Sequence, residues 1–168
     1  ACLARKRSSV RLRYSPQIKI NDMIYWFTGQ PAAGKTTLAK KLHTAIPGSF
    51  HIDGDDLREL TTNKDYSIKG RVENVTTAQK IAHYLHNKGR TVIVSLIAPY
   101  IDQREDFKAL IGEKNICEFY VYTTEPRERD HFKAEAYIAP KKDFIAINTT
   151  VDSPEASFNL IEHIVFGL

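Results

Sequence analysis

Two stretches of this 168-residue chain carry residue types whose spacing can do chemistry. The first is Gly29-Gln30-Pro31-Ala32-Ala33-Gly34-Lys35-Thr36, followed by Thr37. It matches GxxxxGK(S/T) in full, lies directly after the apolar run MIYWFT and opens into a helical pattern, which is the context the motif needs. A loop folded back on itself turns successive backbone N–H groups inward, and the helix behind it adds a positive N-terminal end. Phosphate oxygens fit such a nest. Lys35 is placed to reach the β- and γ-phosphates of ATP, and the Thr36 hydroxyl to enter the shell of Mg²⁺. Gly29 to Thr37 are therefore the expected ATP-binding residues and Mg²⁺ the expected cofactor. Because switches, motors and small-molecule kinases share this loop, the acceptor of a phosphoryl group has to be read elsewhere.

The second stretch, HIDGDDLREL, ends a strand pattern at Asp53 and turns at Gly54 into a short helix with Asp55 and Arg58 one turn apart. Asp53 and Asp55 beside a phosphate cradle suit a metal-bound water and a base for an attacking hydroxyl. An acidic cluster at a helix start is as readily dipole compensation, which is the reading taken for Asp56. Further on, DYSIKGRVEN sets Arg71 and Asn74 on one helix face behind Tyr66. An arginine fork suits phosphate or sulfate, an asparagine a ribose or base edge, and a tyrosine a stacking face. A solvated helix start over a packed tyrosine is the plainer alternative.

These residues need a scaffold, and from Met23 onward short β-branched or aromatic runs alternate with longer helical patterns, the mark of a parallel sheet. Strands are expected at 23–27, 49–53, 91–95, 117–122 and 144–148. Helices are expected from Gly34 to before Pro47-Gly48, from Ser67 to Gly89 with Val75, Ala78, Ala82 and Leu85 inward, after Pro99, and from Ser153-Pro154. The fold class is a three-layer α/β P-loop NTPase/kinase fold of about five parallel strands with helices on both faces. Trp26 and Cys117 read as core. His83, His86 and His163 lie on helices without ligand-like partners.

Composition bounds the rest. At 42% hydrophobic and 26% charged, the chain has the size of one domain, taken as 23–168, with no apolar run near the roughly 20 residues of a membrane span. A soluble, cytoplasmic protein without a membrane partner is expected, and the two cysteines lack metal-ligand spacing. The net charge of +4 is concentrated in residues 1–22, which hold six basic residues and one acidic, leaving −1 for the remainder. That tail lacks helical periodicity and a signal-peptide h-region, so it reads as a disordered extension, and nucleic acid is not the expected partner.

The ordered set IYWFTGQPAAGKTTLAKKL, DGDDLREL, DYSIKGRVEN, VIVSLIAPY and RERD resembles the adenylyl-sulfate kinases over about residues 23–130. That resemblance implies transfer of the γ-phosphoryl group of MgATP to the 3′-hydroxyl of adenosine 5′-phosphosulfate, in sulfate assimilation. It further implies that Asp55 takes the acceptor proton and Asp53 lies near the metal with Thr36. Arg58, Arg71 and Asn74 hold the acceptor, Tyr66 stacks on its adenine and Ile97 makes a backbone contact. Family members are often dimers, so a homodimer is the implied assembly.

Two departures stand out. Many members carry a phosphorylatable serine in the strand-end loop, where this chain has Ala98, which excludes a phosphoserine intermediate there. After RERD the family's basic helix and FTGI turn give way to HFKAEAYIAPKKDFIAINTT, a shortened lid in which Tyr137-Ile138-Ala139-Pro140 echoes a YExP motif and the FTGI phenylalanine has no counterpart. Lys133, Lys141 and Lys142 read as solvated surface, with replacement of lid charge as the alternative. Half an adenine sandwich is worth about 1–3 kcal/mol of stacking, enough to admit another acceptor. Two alternatives follow: a related kinase of a cytidine diphosphoramidate or a hydroxymethylated base, and a non-catalytic nucleotide binder.

Overall fold

The structure, a computed structural model, describes residues 22–126 and 133–167. The basic tail as far as residue 21 and the RERD stretch expected above lie outside the described residues. Five strands form one sheet: β1 (Ile24–Thr28), β2 (Phe50–Asp53), β3 (Val92–Ser95), β4 (Ile116–Tyr122) and β5 (Phe144–Asn148). All pairings are parallel and the order is β2-β3-β1-β4-β5. The helices are α1 (Lys35–Ala45), α2 (Gly54–Thr61), α3 (Ile68–Asn87), α4 (Ile101–Ile111) and α5 (Pro154–Phe166).

Every residue of β1 is buried, because helices cover both faces of the sheet and a central parallel strand has no solvent side. The two-residue period then sorts its side chains into two cores. Tyr25 and Phe27 pack with Leu38 and Leu42 of α1, Phe119 of β4 and Ile161 of α5. Ile24 and Trp26 face the other way, onto Val75, Ala78 and Ala82 of α3 and Phe107 of α4. Aromatic contacts tie each core to the sheet: Phe27 to Phe119 at 4.8 Å between ring centroids and Trp26 to Phe107 at 5.3 Å. Cys117 is a core residue whose thiol burial pushes up to about 12, which leaves it protonated and inert.

The starts of α3 and α5 carry serine caps. Ser67 accepts from Gly70 N–H to begin α3, and Ser153 accepts from Ala156 N–H with Pro154 opening α5. Each expected strand lies within a residue or two of its observed bounds. The sheet places the C-terminal ends of β1, β2 and β3 side by side: Ser95 stands in register with Asp53 on one side and Phe27 on the other. That edge is where an open parallel sheet receives its ligand.

Candidate active site

The cradle is built at the end of β1. Gly29 has φ 144, and a Cβ there would lie 2.0 Å from the Val121 carbonyl oxygen of β4, so both its conformation and the close strand exclude any side chain. The loop returns through Ala32, at φ 57, and Gly34, at φ 100, which is the N-cap of α1. Lys35 is the first residue of that helix and is buried; its Nζ donates to the Gln30 carbonyl at 2.6 Å, which holds the ammonium across the loop. Thr149 Oγ1, just beyond β5, donates to the Ala33 carbonyl at 2.8 Å and fastens the outer side of the loop.

Asp53 joins this cradle to the neighbouring strands. Its Oδ2 accepts from Thr36 Oγ1 and from Ser95 Oγ, each at 2.7 Å, and its Oδ1 accepts from Asp55 N–H at 3.0 Å as the N-cap of α2. His51 Nε2 lies 2.9 Å from the same Ser95 hydroxyl. Burial pushes the Asp53 carboxyl upward, but the hydrogen bonds from Thr36, Ser95 and Asp55 outweigh it and hold the group below the usual carboxylate range. It is therefore an anion at neutral pH. Gly54 follows without the turn expected of it: it begins α2 directly, and its lack of a side chain serves close packing, since a Cβ would meet Leu96 Cβ at 2.7 Å.

The second wall comes from α2, α3 and the residues after β3. Arg58 Nη1 donates to the Asn63 carbonyl, to Asn63 Oδ1 and to the Asp65 carbonyl, and its guanidinium sits 4.3 Å from the Tyr66 ring centroid. Arg71 Nε donates to the Tyr66 carbonyl at 2.8 Å, with its guanidinium 5.7 Å from the same ring. Tyr66 is thus bracketed by two cations that keep its loop in place. Asn74 donates to the Gly54 carbonyl at 3.2 Å, while its buried Oδ1 has no hydrogen-bond partner in the ligand-free protein. An unpaired acceptor buried at a cleft wall is costly.

One continuous cavity of about 340 Å³ opens between the two walls, inside the range of small-molecule sites. Pro31, Ala32 and Gly34 to Thr37 line one end. Asp53, Asp55, Arg58, Tyr66, Arg71, Asn74 and Ile97, every acceptor-site residue expected from the sequence, line the other.

The full chain can be set against known proteins on this basis. Residues 21–159 match the family model described as adenylylsulphate kinase. The chain belongs to the adenylylsulphate kinase family. It is 32% identical over 140 residues to an adenylyl-sulfate kinase of Pseudomonas aeruginosa, covering 78% of this chain and 71% of that one. With the adenylyl-sulfate kinase of Buchnera aphidicola subsp. Acyrthosiphon pisum the identity is 28% over 158 residues, covering 89% and 77%. The fold matches the Mycobacterium tuberculosis APS kinase CysC, solved in complex with AMPPNP and APS, with a TM-score of 0.67 at 22% identity, covering 87% of this chain and 98% of that one.

Within this family frame, three cradle residues expected to bind ATP stand back from the cavity. Gly29 is pressed on β4 and Ala33 is wholly buried in the core. Gln30 turns its side chain away, donating to the Ala134 carbonyl at 2.9 Å and accepting from Ala134 N–H at 3.1 Å. Ile97 lines the cavity, and its carbonyl accepts from Thr28 Oγ1 at 2.7 Å. Asp56 is exposed and outside the lining, consistent with helix N-terminal charge. Lys133, Lys141 and Lys142 are exposed, and Lys142 pairs with Glu105 and Glu113.

Sequence reasoning missed Ser95, which completes the Asp53 shell. A serine at the end of VIVS, where the strand reaches the ligand edge, was the available signal. It also missed the buried group Arg104, Lys108 and Glu118. The signal there was a glutamate inside the apolar strand CEFYVY.

Proposed function

We propose that this chain transfers the γ-phosphoryl group of ATP to the 3′-hydroxyl of adenosine 5′-phosphosulfate. The observation that carries the reading is the single cavity lined at one end by the cradle and at the other by all seven acceptor-site residues. A protein that only bound ATP has no use for the second wall. Phosphoryl transfer asks mainly for positioning and charge stabilisation, and each wall supplies a share. Lys35 and the cradle N–H groups bear on the β- and γ-phosphates.

Asp55 is the base. Its side chain is exposed on the cavity, whereas Asp53 is engaged by three hydrogen bonds and held ionised. Arg58 and Arg71 hold the sulfate and phosphate oxygens, Asn74 offers its unpaired Oδ1 to a donor on the nucleoside, and Tyr66 gives the adenine a face. Mg²⁺ fits the remaining donors: a hydroxyl and an anionic carboxylate 2.7 Å apart at the mouth of the cradle. Among the described residues no group of three or more His, Cys, Asp or Glu forms an all-protein cage, as suits an ion that keeps its waters and binds through substrate phosphates. When bound, it neutralises charge developing on the transferred phosphoryl group.

The test is an acceptor panel with γ-radiolabelled ATP and Mg²⁺. Label should move to adenosine 5′-phosphosulfate at low micromolar concentration, with cytidine diphosphoramidate and hydroxymethylated nucleotides left unlabelled. Transfer to a cytidine conjugate in preference would replace the acceptor, and ATP binding without transfer to any member would remove the enzyme reading. Among the described residues no helix is long and apolar enough to cross a membrane.

A further inference from the structure

Glu118 lies in the middle of β4 with its side chain 1% exposed, and it is satisfied by two cations one turn apart on α4. Arg104 Nε donates to Oε1 at 2.9 Å and Lys108 Nζ to Oε2 at 2.7 Å. A buried ionic cluster of this kind is poor evidence for stability, since apolar residues of equal volume commonly do as well. The rest of the guanidinium gives it another purpose. Arg104 Nη1 donates to the Ala98 carbonyl and Nη2 to the Ile138 carbonyl at 2.6 Å, while its plane lies 5.4 Å from the Tyr137 ring centroid.

These bonds close a frame around the loop that follows β3. Ile97, Ala98 and Pro99 all line the cavity, and each has its carbonyl fixed by a different element. Thr28 Oγ1 holds Ile97, Arg104 holds Ala98, and Ile138 N–H holds Pro99 at 3.0 Å. Because the single Thr28 proton goes to Ile97, the Tyr137 hydroxyl 3.1 Å away is the donor to Thr28, which ties the far end of the frame to the same segment as Ile138. Ala98 has φ 44, a left-handed conformation that costs a non-glycine residue free energy and persists only where its surroundings over-determine it.

We infer that Arg104, oriented by Glu118, is a positioning residue for the acceptor: it holds the 97–99 wall in its strained form and clamps the shortened segment through Ile138 against it. The inference rests on the reading that the acceptor lies against Ile97. It assigns the residues Tyr137 and Ile138 to a fixed brace on the acceptor side, while Ala134 of the same segment meets the cradle at Gln30.

The decisive variant is Arg104→Lys, which keeps a cation opposite Glu118 but cannot span Glu118, Ala98 and Ile138 at once. The KM for adenosine 5′-phosphosulfate should rise about tenfold, the loss of one or two good hydrogen bonds, with the KM for ATP within about twofold and kcat within about threefold. Equal rises in both KM values, a fall in kcat alone, or no change in a folded protein would overturn the role. Should Arg104→Lys fail to give a cooperative thermal transition, Tyr137→Phe carries the test, because it removes only the donor to Thr28. It should raise the acceptor KM about threefold and leave that for ATP alone, and an unchanged acceptor KM refutes the brace.

Amide hydrogen exchange in the ligand-free protein separates this idea from the choice of acceptor. Exchange at residues 96–98 should quicken by about tenfold in the folded variant, relative to β1, if one buried hydrogen bond of ordinary strength is lost. Unchanged exchange rejects the positioning role whichever acceptor is used. A wild-type enzyme inactive on adenosine 5′-phosphosulfate but with faster exchange in the variant would instead reject the substrate reading alone.

Discussion

The two walls of the cavity are made in opposite ways. The cradle is nine consecutive residues, Gly29 to Thr37, running from the end of one strand into the first turn of one helix, closed by local geometry and braced from outside by Thr149. The acceptor wall is gathered from the end of β2, α2, the loop before α3, α3 itself and the loop after β3, so its residues span Asp53 to Pro99. A contiguous motif carries its own geometry, because strand, turn and helix dictate where the N–H groups point. A dispersed wall is only as good as the contacts that hold its parts. The cradle should therefore fail in chemistry when broken, and the acceptor wall, Asp55 apart, chiefly in binding.

The largest effect is expected at the cradle. Lys35→Ala removes a buried cation from the phosphate end and should lower kcat by about 10³-fold, with the thermal transition kept, because the charge acts on the transition state rather than the core. Single-turnover rates with saturating substrates would show it. A variant that bound and turned over ATP normally would end the cradle assignment. Asp55→Asn comes next, at about 10²-fold in kcat with little change in either KM, since a base lost without a change of shape leaves binding intact. If the loss appeared in KM instead, Asp55 would be a binding residue of the acceptor wall, and the base would have to be sought elsewhere.

Legibility followed the same division. The strands were readable to within a residue or two because both faces of the sheet are covered and the buried strands are nearly continuous apolar runs. The cradle was readable because its chemistry is local. The strand order β2-β3-β1-β4-β5 was not, since side-by-side placement is decided by packing between distant segments. Ser95 was missed for that reason: it lies 42 residues from the carboxylate it bonds and meets it only through the register of β3 against β2. Gly54 was given a turn when its actual constraint is Leu96 just beyond the end of β3, a contact no local pattern shows. Asp53, Asp55, Arg58, Tyr66, Arg71 and Asn74 were named from residue type and spacing and Ile97 through the family resemblance, and their position on one cavity is what the structure adds.

A smaller effect tests the binding character of the acceptor wall. Tyr66 is 42% exposed and held between Arg58 and Arg71, and it is the aromatic among the described residues lining the cavity. Tyr66→Leu should raise the acceptor KM by about tenfold, the worth of one stacking face, and leave kcat and the ATP KM nearly unchanged. A fall in kcat of similar size would mean that stacking is realised in the transition state, and that the two walls differ less in kind.

The smallest effect belongs to Asp53, the residue the two walls share. Thr36 on Oδ2 ties it to the cradle, and Asp55 N–H on Oδ1 ties it to the helix that carries Asp55 and Arg58. Its folded carboxyl titrates below the usual range, so the native state binds fewer protons than the unfolded chain as the pH falls. The resulting stabilisation is fully present above the unfolded carboxyl pKa of about 3.9 and is lost as the pH drops through the lower folded value. In chelator, to keep metal out of the comparison, the melting temperature of wild type relative to Asp53→Asn should be highest near neutrality. That advantage should shrink on acidification below about pH 4, by a few degrees at most, since about 1 kcal/mol corresponds to roughly 2–4 °C at this chain length. A gap independent of pH would show that the carboxylate is not favoured by its three donors, and that the cradle and acceptor wall are joined by packing alone.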